Sequence, residues 1–171
     1  YFTKIAKTIG DGDSSSIEAN LEQKSKPDIL LNPHKDYSDT AYAVQYLIND
    51  FPEIHMHGFD GERYDHQLAI IGDLLSILES KPNKLIIFHL LKDEKWIFSS
   101  HKNNSFAHNG SFSVFTLKKQ QINYIQAKYP LNENKSVVLN PLSSHGLSNL
   151  SQGSLEISNT YPVLVILNDI N

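Results

Sequence analysis

The chain has 171 residues, with 15 Lys plus Arg against 19 Asp plus Glu, a net charge of −4 and no cysteine. That balance excludes a generic basic surface for nucleic acid, and the absence of thiols excludes disulfides and thiolate metal ligands. At 40% hydrophobic residues there is material for a real core, yet no run is long and apolar enough to cross a bilayer. The expected partners therefore include neither nucleic acid nor membrane. With no signal-peptide pattern at its start the chain reads as cytoplasmic. It begins at Tyr1 rather than Met, so an upstream piece is expected.

In chain order, residues 2–9 (FTKIAKTI) read as a weak strand running into a Gly-Asp turn. The segment SDTAYAVQYLINDF places Val44, Leu47, Ile48 and Phe51 at helical spacing, with Ser38 or Asp39 as N-cap. EIHMHG is a short strand, and DHQLAIIGDLLSILES puts Leu68, Ile71, Leu75 and Leu78 on one helical stripe. Strand, helix, strand, helix with short loops predicts a parallel α/β layer. After Lys81-Pro82-Asn83 the pattern changes to short, β-branched and aromatic segments from KLIIFHLL to PVLVIL, separated by Asn, Lys, Gly and Ser turns. This predicts an α/β plus all-β organisation: a Rossmann-like parallel α/β domain over 1–83, then a β-sandwich over 84–171.

Ligands of open α/β sheets bind beyond the carboxyl ends of the strands. Three acidic loops fall at such ends: GDGDS with Asp11 and Asp13, HKDYSDT with Asp36 and Asp39, and GFDGERYDH with Asp60, Arg63 and Asp65. Carboxylate oxygens are hard ligands suited to Mg²⁺. Acidic residues also gather at loops and helix N-termini for solvation and dipole reasons, so no single loop is diagnostic. Of the 15 basic residues Arg63 is the only arginine, and a guanidinium offers phosphate a planar fork that lysine lacks. Neither a Walker-type phosphate loop nor a Gly-x-Gly-x-x-Gly turn is present. His55 and His57 share a strand face and could ligate metal, but the sequence shows no third partner, which favours packing. SSHGLSN contains Ser, His and Asn without a nucleophile elbow.

Taken together, the loops resemble the thiamine pyrophosphokinase family. Its Gly-Asp-x-Asp-Ser motif is matched by GDGDS at 10–14, its Lys-Asp-x-Thr-Asp-Thr by KDYSDT at 35–40, and its Gly-Gly-Arg-x-Asp-His by GERYDH at 61–66. KYPL at 128–131 and SHGLSN at 144–149 continue the order. The resemblance implies transfer of the pyrophosphoryl group of ATP to the hydroxyl of thiamine, giving AMP and thiamine diphosphate, by a Mg²⁺-dependent homodimer with sites between subunits. By motif, Asp11, Asp13, Asp36 and Asp39 would hold Mg²⁺, and Asp36, Asp39 and Arg63 would serve catalysis. Arg63 and Asp65, with His66 and Lys35, would handle the ATP phosphates and hold the loop. Ser148 and Asn149 would face thiamine, with Tyr129 as an aromatic wall. Glu62 stands where the family has a second glycine, Ser38 replaces a threonine, and Gln126-Ala127 replaces a glycine-aromatic pair. The family's opening strand and Ala-Asp-Gly-Gly turn have no counterpart. A non-catalytic thiamine- or nucleotide-binding protein and a divalent-metal nucleotide phosphohydrolase are the competing readings.

Overall fold

Ser38 opens the first helix as its N-cap: its backbone is extended and its Oγ accepts the Ala41 amide at 3.1 Å, satisfying a donor the helix itself cannot. The computed structural model describes residues 8–10, 27–32, 37–59, 63–91, 94–128 and 136–169. In chain order the elements are β1 (Ile9–Gly10), β2 (Ile29–Leu30), α1 (Asp39–Leu47), β3 (Glu53–His57), α2 (Tyr64–Glu79), β4 (Leu85–His89) and β5 (Lys95–Ser99). They continue with β6 (Asn103–Phe115), β7 (Gln120–Ala127), β8 (Ser136–Leu139), a 3₁₀ turn (Ser144–Gly146), β9 (Asn149–Ser158) and β10 (Val163–Asp169). Strands β1 and β2 form a short parallel pair. The other eight form one mixed, curled sheet in the order β3-β4-β5-β10-β6-β9-β7-β8.

Among the described strands of that sheet only β3 and β4 run parallel, and α2 joins them as a βαβ crossover. Because the strands are parallel, α2 must run back against them, which puts its N-terminus and Arg63 at the carboxyl end of β3. All other neighbours are antiparallel. The ladder crosses residue 83: β3 from the α/β segment pairs with β4 from the β-rich one, Glu53 to Leu85 through His57 to His89.

Two apolar clusters cover opposite faces of the sheet. On one face Val44 and Ile48 of α1 and its C-cap, with Ile70, Leu74, Leu75 and Leu78 of α2, pack on Ile54, Ile86, Phe88, Phe98 and Leu164. On the other, Ile97, Val163, Val165 and Leu167 join Phe112, Val114, Ile122, Tyr124, Leu139, Leu155 and Ile157. Strand β10 therefore alternates between two cores, which is why PVLVIL reads as an unbroken apolar run.

Two details depart from the helical patterns. Leu68 is 63% exposed, and the buried stripe of α2 is Ile70, Leu74, Leu75 and Leu78, with Ile71 at its margin. Phe51 lies beyond the end of α1 and is 51% exposed. Both sit at helix ends, where apolar spacing continues past the surface that the sheet can cover.

Candidate functional site

The helix termini position most of the described candidates. Asp39 occupies the first turn of α1, where a carboxylate favours the helix dipole. Its Oδ1 is buried, and its Oδ2 lies 3.6 Å from where a Cβ would stand on Gly10. Gly10 closes β1, so α1 presents Asp39 against the strand end from which the GDGDS motif departs. Asp11, Asp13, Lys35, Asp36 and Tyr129 lie outside the described residues.

Arg63 is the N-cap of α2, which has no side-chain cap hydrogen bond. Its guanidinium grips Asp65 in a two-point fork, Nε to Oδ1 at 3.0 Å and Nη2 to Oδ2 at 2.6 Å. That hydrogen bonding holds the Asp65 carboxyl well below the usual carboxylate range and raises the Arg63 guanidinium further. Both side chains are exposed, so the pair adds little to stability; its effect is to orient the guanidinium beside the first turn. His66, in that same turn, is exposed.

Ser148 and Asn149 belong to the other end of the sheet. Ser148 takes a left-handed backbone, φ +53°, and its amide donates to Ser113 Oγ at 3.1 Å. Asn149 begins β9 opposite Phe112, nearly buried, with Oδ1 accepting the Leu150 amide at 2.8 Å. The preceding turn is held by Gly146: a Cβ there would come within 2.0 Å of the Val114 carbonyl oxygen. Strand β9 is five positions from β3 in the sheet, roughly 24 Å of ladder at strand spacing. Within one chain the structure thus brings Asp39 to the end of β1 and Arg63 to Asp65, but sets Ser148 and Asn149 apart from Arg63.

Among the described residues no group of three or more His, Cys, Asp or Glu could hold a metal ion. A cleft of 390 Å³ opens along the C-terminal halves of the two helices, lined by Gln45, Asn49, Asp73, Ser76 and Lys81. None of the candidate residues lines it. Burial there raises the Asp73 carboxyl, and Lys81 Nζ donates to Asn49 Oδ1 at 2.7 Å.

Two features escaped the sequence reading. Ser113, which anchors the Ser148 amide, carries no motif and lies 35 residues away. His89 joins His55 and His57, in contact rather than as a metal-holding group: His55 Nδ1 and His89 Nε2 are 2.8 Å apart, and the His57 and His89 rings stack at 4.5 Å. The parallel register that aligns His57 with His89 depends on strand pairing across the α2 crossover, which no local pattern announces.

No family model and no curated protein sequence matches the chain. Solved structures do. Thiamine pyrophosphokinase from Bacillus subtilis superimposes with a TM-score of 0.62 at 21% identity, over 80% of this chain and 65% of that one. A thiamin pyrophosphokinase family protein from Enterococcus faecalis gives 0.67 at 21% identity, over 95% and 79%. Thiamin pyrophosphokinase from Geobacillus thermodenitrificans gives 0.60 at 18% identity, over 84% and 66%. This chain therefore spans about two thirds of the first and third of these relatives. Over the matched length it has the fold of solved thiamine pyrophosphokinases.

Proposed function

We propose that the chain is a thiamine pyrophosphokinase, moving the pyrophosphoryl group of ATP to the thiamine hydroxyl and releasing AMP. The observation that carries this reading is the placement of Arg63, already forked to Asp65, at the uncapped N-terminus of α2 behind β3, within the shared fold. Helix N-termini at strand carboxyl ends favour anions. Asp65 engages two of the five guanidinium N–H groups and leaves the rest to serve a phosphate. His66 and Lys35 add donors to the same phosphates. In this reading residues 1–83 act as the Rossmann-like nucleotide half, and residues 84–171 as the β-sandwich half that carries thiamine and the dimer contact.

The donor set fits Mg²⁺. Asp39 offers a hard carboxylate whose Oδ2 faces the end of β1, and Asp11, Asp13 and Asp36 would complete the set. When bound, the ion would supply neutralisation of phosphate charge. The protein's own residues position the reactants. Arg63 holds the phosphate chain, and Asp65 keeps the guanidinium in plane. A carboxylate such as Asp39 or Asp36 accepts the hydroxyl proton as the oxygen attacks. Pyrophosphoryl transfer asks chiefly for in-line placement and charge neutralisation, which these groups supply without a covalent intermediate.

Because Ser148 and Asn149 lie far along the sheet from Arg63, a complete site needs the thiamine-facing end of a second copy, so the active form is a homodimer. Tyr129 would wall the same thiamine pocket, where an aromatic face suits a cationic ring. None of the described helices is long and apolar enough to cross a membrane. The test is AMP formation from ATP and Mg²⁺ with and without thiamine. Thiamine-dependent AMP is the expected result. Phosphate or pyrophosphate released without thiamine would replace this reading with a metal-dependent phosphohydrolase. Thiamine binding without AMP would replace it with a binding protein.

A further inference from the structure

Among the described residues strand β3 pairs with β4 alone, and its face away from the helices carries Glu53, His55 and His57. His89 of β4 stands beside them on that face, and Lys95 of β5 lies opposite His89 in the next register pair. The hydrogen bonds form a chain: Glu53 Oε1 meets His55 Nε2 at 2.6 Å, and His55 Nδ1 meets His89 Nε2 at 2.8 Å. The His89 ring also stacks on His57, with centroids 4.5 Å apart and planes 6° from parallel, and on His55 at 5.1 Å.

The number of protons this chain can hold follows from donor counting. With Glu53 ionised, His55 donates its Nε2–H to the carboxylate, leaving Nδ1 to accept from His89 Nε2–H. One added proton fits: His55 then donates at both nitrogens, to Glu53 and to His89, and His89 carries its hydrogen on Nδ1. A second proton does not fit. It puts two N–H donors head to head across 2.8 Å and sets imidazolium charges within a ring stack, with Lys95 adding a further positive charge.

We propose that the Glu53–His55–His89–His57 cluster is a proton-operated latch that holds strand β3 to β4 at neutral pH and releases it when the His55–His89 pair takes a second proton. Burial, followed by the charges of His57, His55 and Lys95, holds the His89 imidazole below its ordinary value, in keeping with this role. The unfolded chain takes up a proton that folded His89 resists. The stabilisation is therefore full above the ordinary imidazole value of about 6.5 and is lost as pH falls below it. Strand β3 leads into Phe59, which packs on Phe88 and Trp96, so release of the strand loosens the approach to Arg63.

Amide hydrogen exchange at Ile54 and Met56 tests the latch, compared between about pH 7.5 and 5.5 after correction for intrinsic exchange. In the wild-type chain protection is expected to fall about tenfold or more on acidification, and in His89→Gln less than about threefold, because glutamine keeps a hydrogen-bonding side chain but takes no proton. Equal losses in both proteins, or no loss in the wild type, would overturn the proposal. Glu53→Gln supplies an independent arm: with the anion gone the folded cluster resists the first proton as well, so the loss below about pH 6.5 should steepen. An unchanged slope also counts against the latch.

Discussion

At the helix-covered end of the sheet the candidate residues stand on helix termini: Arg63, exposed, is held by Asp65, and Asp39, half-buried, by its place in the first turn of α1. At the curled end they are held by the strands and turns of the sheet. Ser148 is pinned to Ser113, Gly146 is pressed on Val114, and Gln120 ties Thr116 to the amides of Thr160 and Tyr161. The first arrangement suits a charged, multidentate ligand whose phosphates recruit adjustable side chains. The second suits a ligand recognised by shape, because the turn is set before anything binds. The two ends should therefore fail differently when mutated, one in rate and the other in stability.

The largest effect is expected in the core that the helices share with the sheet. Leu74, fully buried between α2 and the strands, when cut to alanine should cost about 2–5 kcal/mol, read as a fall in denaturation midpoint with an unchanged slope. Gly146→Ala comes next: with a carbonyl oxygen 2.0 Å from the new methyl, the turn must shift, costing about 3 kcal/mol by thermal or chemical denaturation. An alanine variant of wild-type stability would show that this turn is not a fixed wall. Arg63→Lys should leave the melting temperature nearly unchanged yet lower kcat/KM for ATP-dependent AMP formation about 100-fold, because the point charge survives and the fork does not. A stability loss matching the rate loss would erase the contrast between the two ends. Ser113→Ala removes the acceptor for the Ser148 amide and should cost about 1 kcal/mol, with KM for thiamine rising more than KM for ATP.

The smallest effect belongs to Asp65. Its carboxyl is held below the ordinary value in the folded chain, so the stability it contributes is present above about pH 4 and is lost as pH falls further. Because the pair is fully exposed, an Asp65→Asn variant should show no resolvable difference in acid unfolding, while its rate falls with the loss of guanidinium orientation.

Local chemistry was legible in the sequence. The Ser38 cap, both helices, β3 and the run of strands from Leu85 to Leu167 all follow from spacing, capping residues and β-branched content. What was not legible depends on contacts between distant segments. That β3 would pair with β4 across residue 83 is decided by α2 crossing back over Ile54, Ile86 and Phe88, and no property of Glu53–His57 alone signals it. The same pairing brings His89 to His55 and His57. Ser113 is one serine among several, and only the left-handed turn at Ser148 gives its hydroxyl a task. Arg63 stood out because it is the only arginine, yet its fork to Asp65 needed the first turn of α2 to form.

The central claim is that an ATP-handling end and a thiamine-handling end meet only between two copies. Co-expression of Arg63→Ala with Ser148→Lys, which sets a positive charge against a cationic substrate at an exposed position, tests it most directly. Each variant alone should be inactive. Together they should recover about a quarter of wild-type AMP formation, since half the dimers are mixed and each mixed dimer has one intact site. No recovery from a co-purified mixed dimer would contradict the account and place the whole site within one chain.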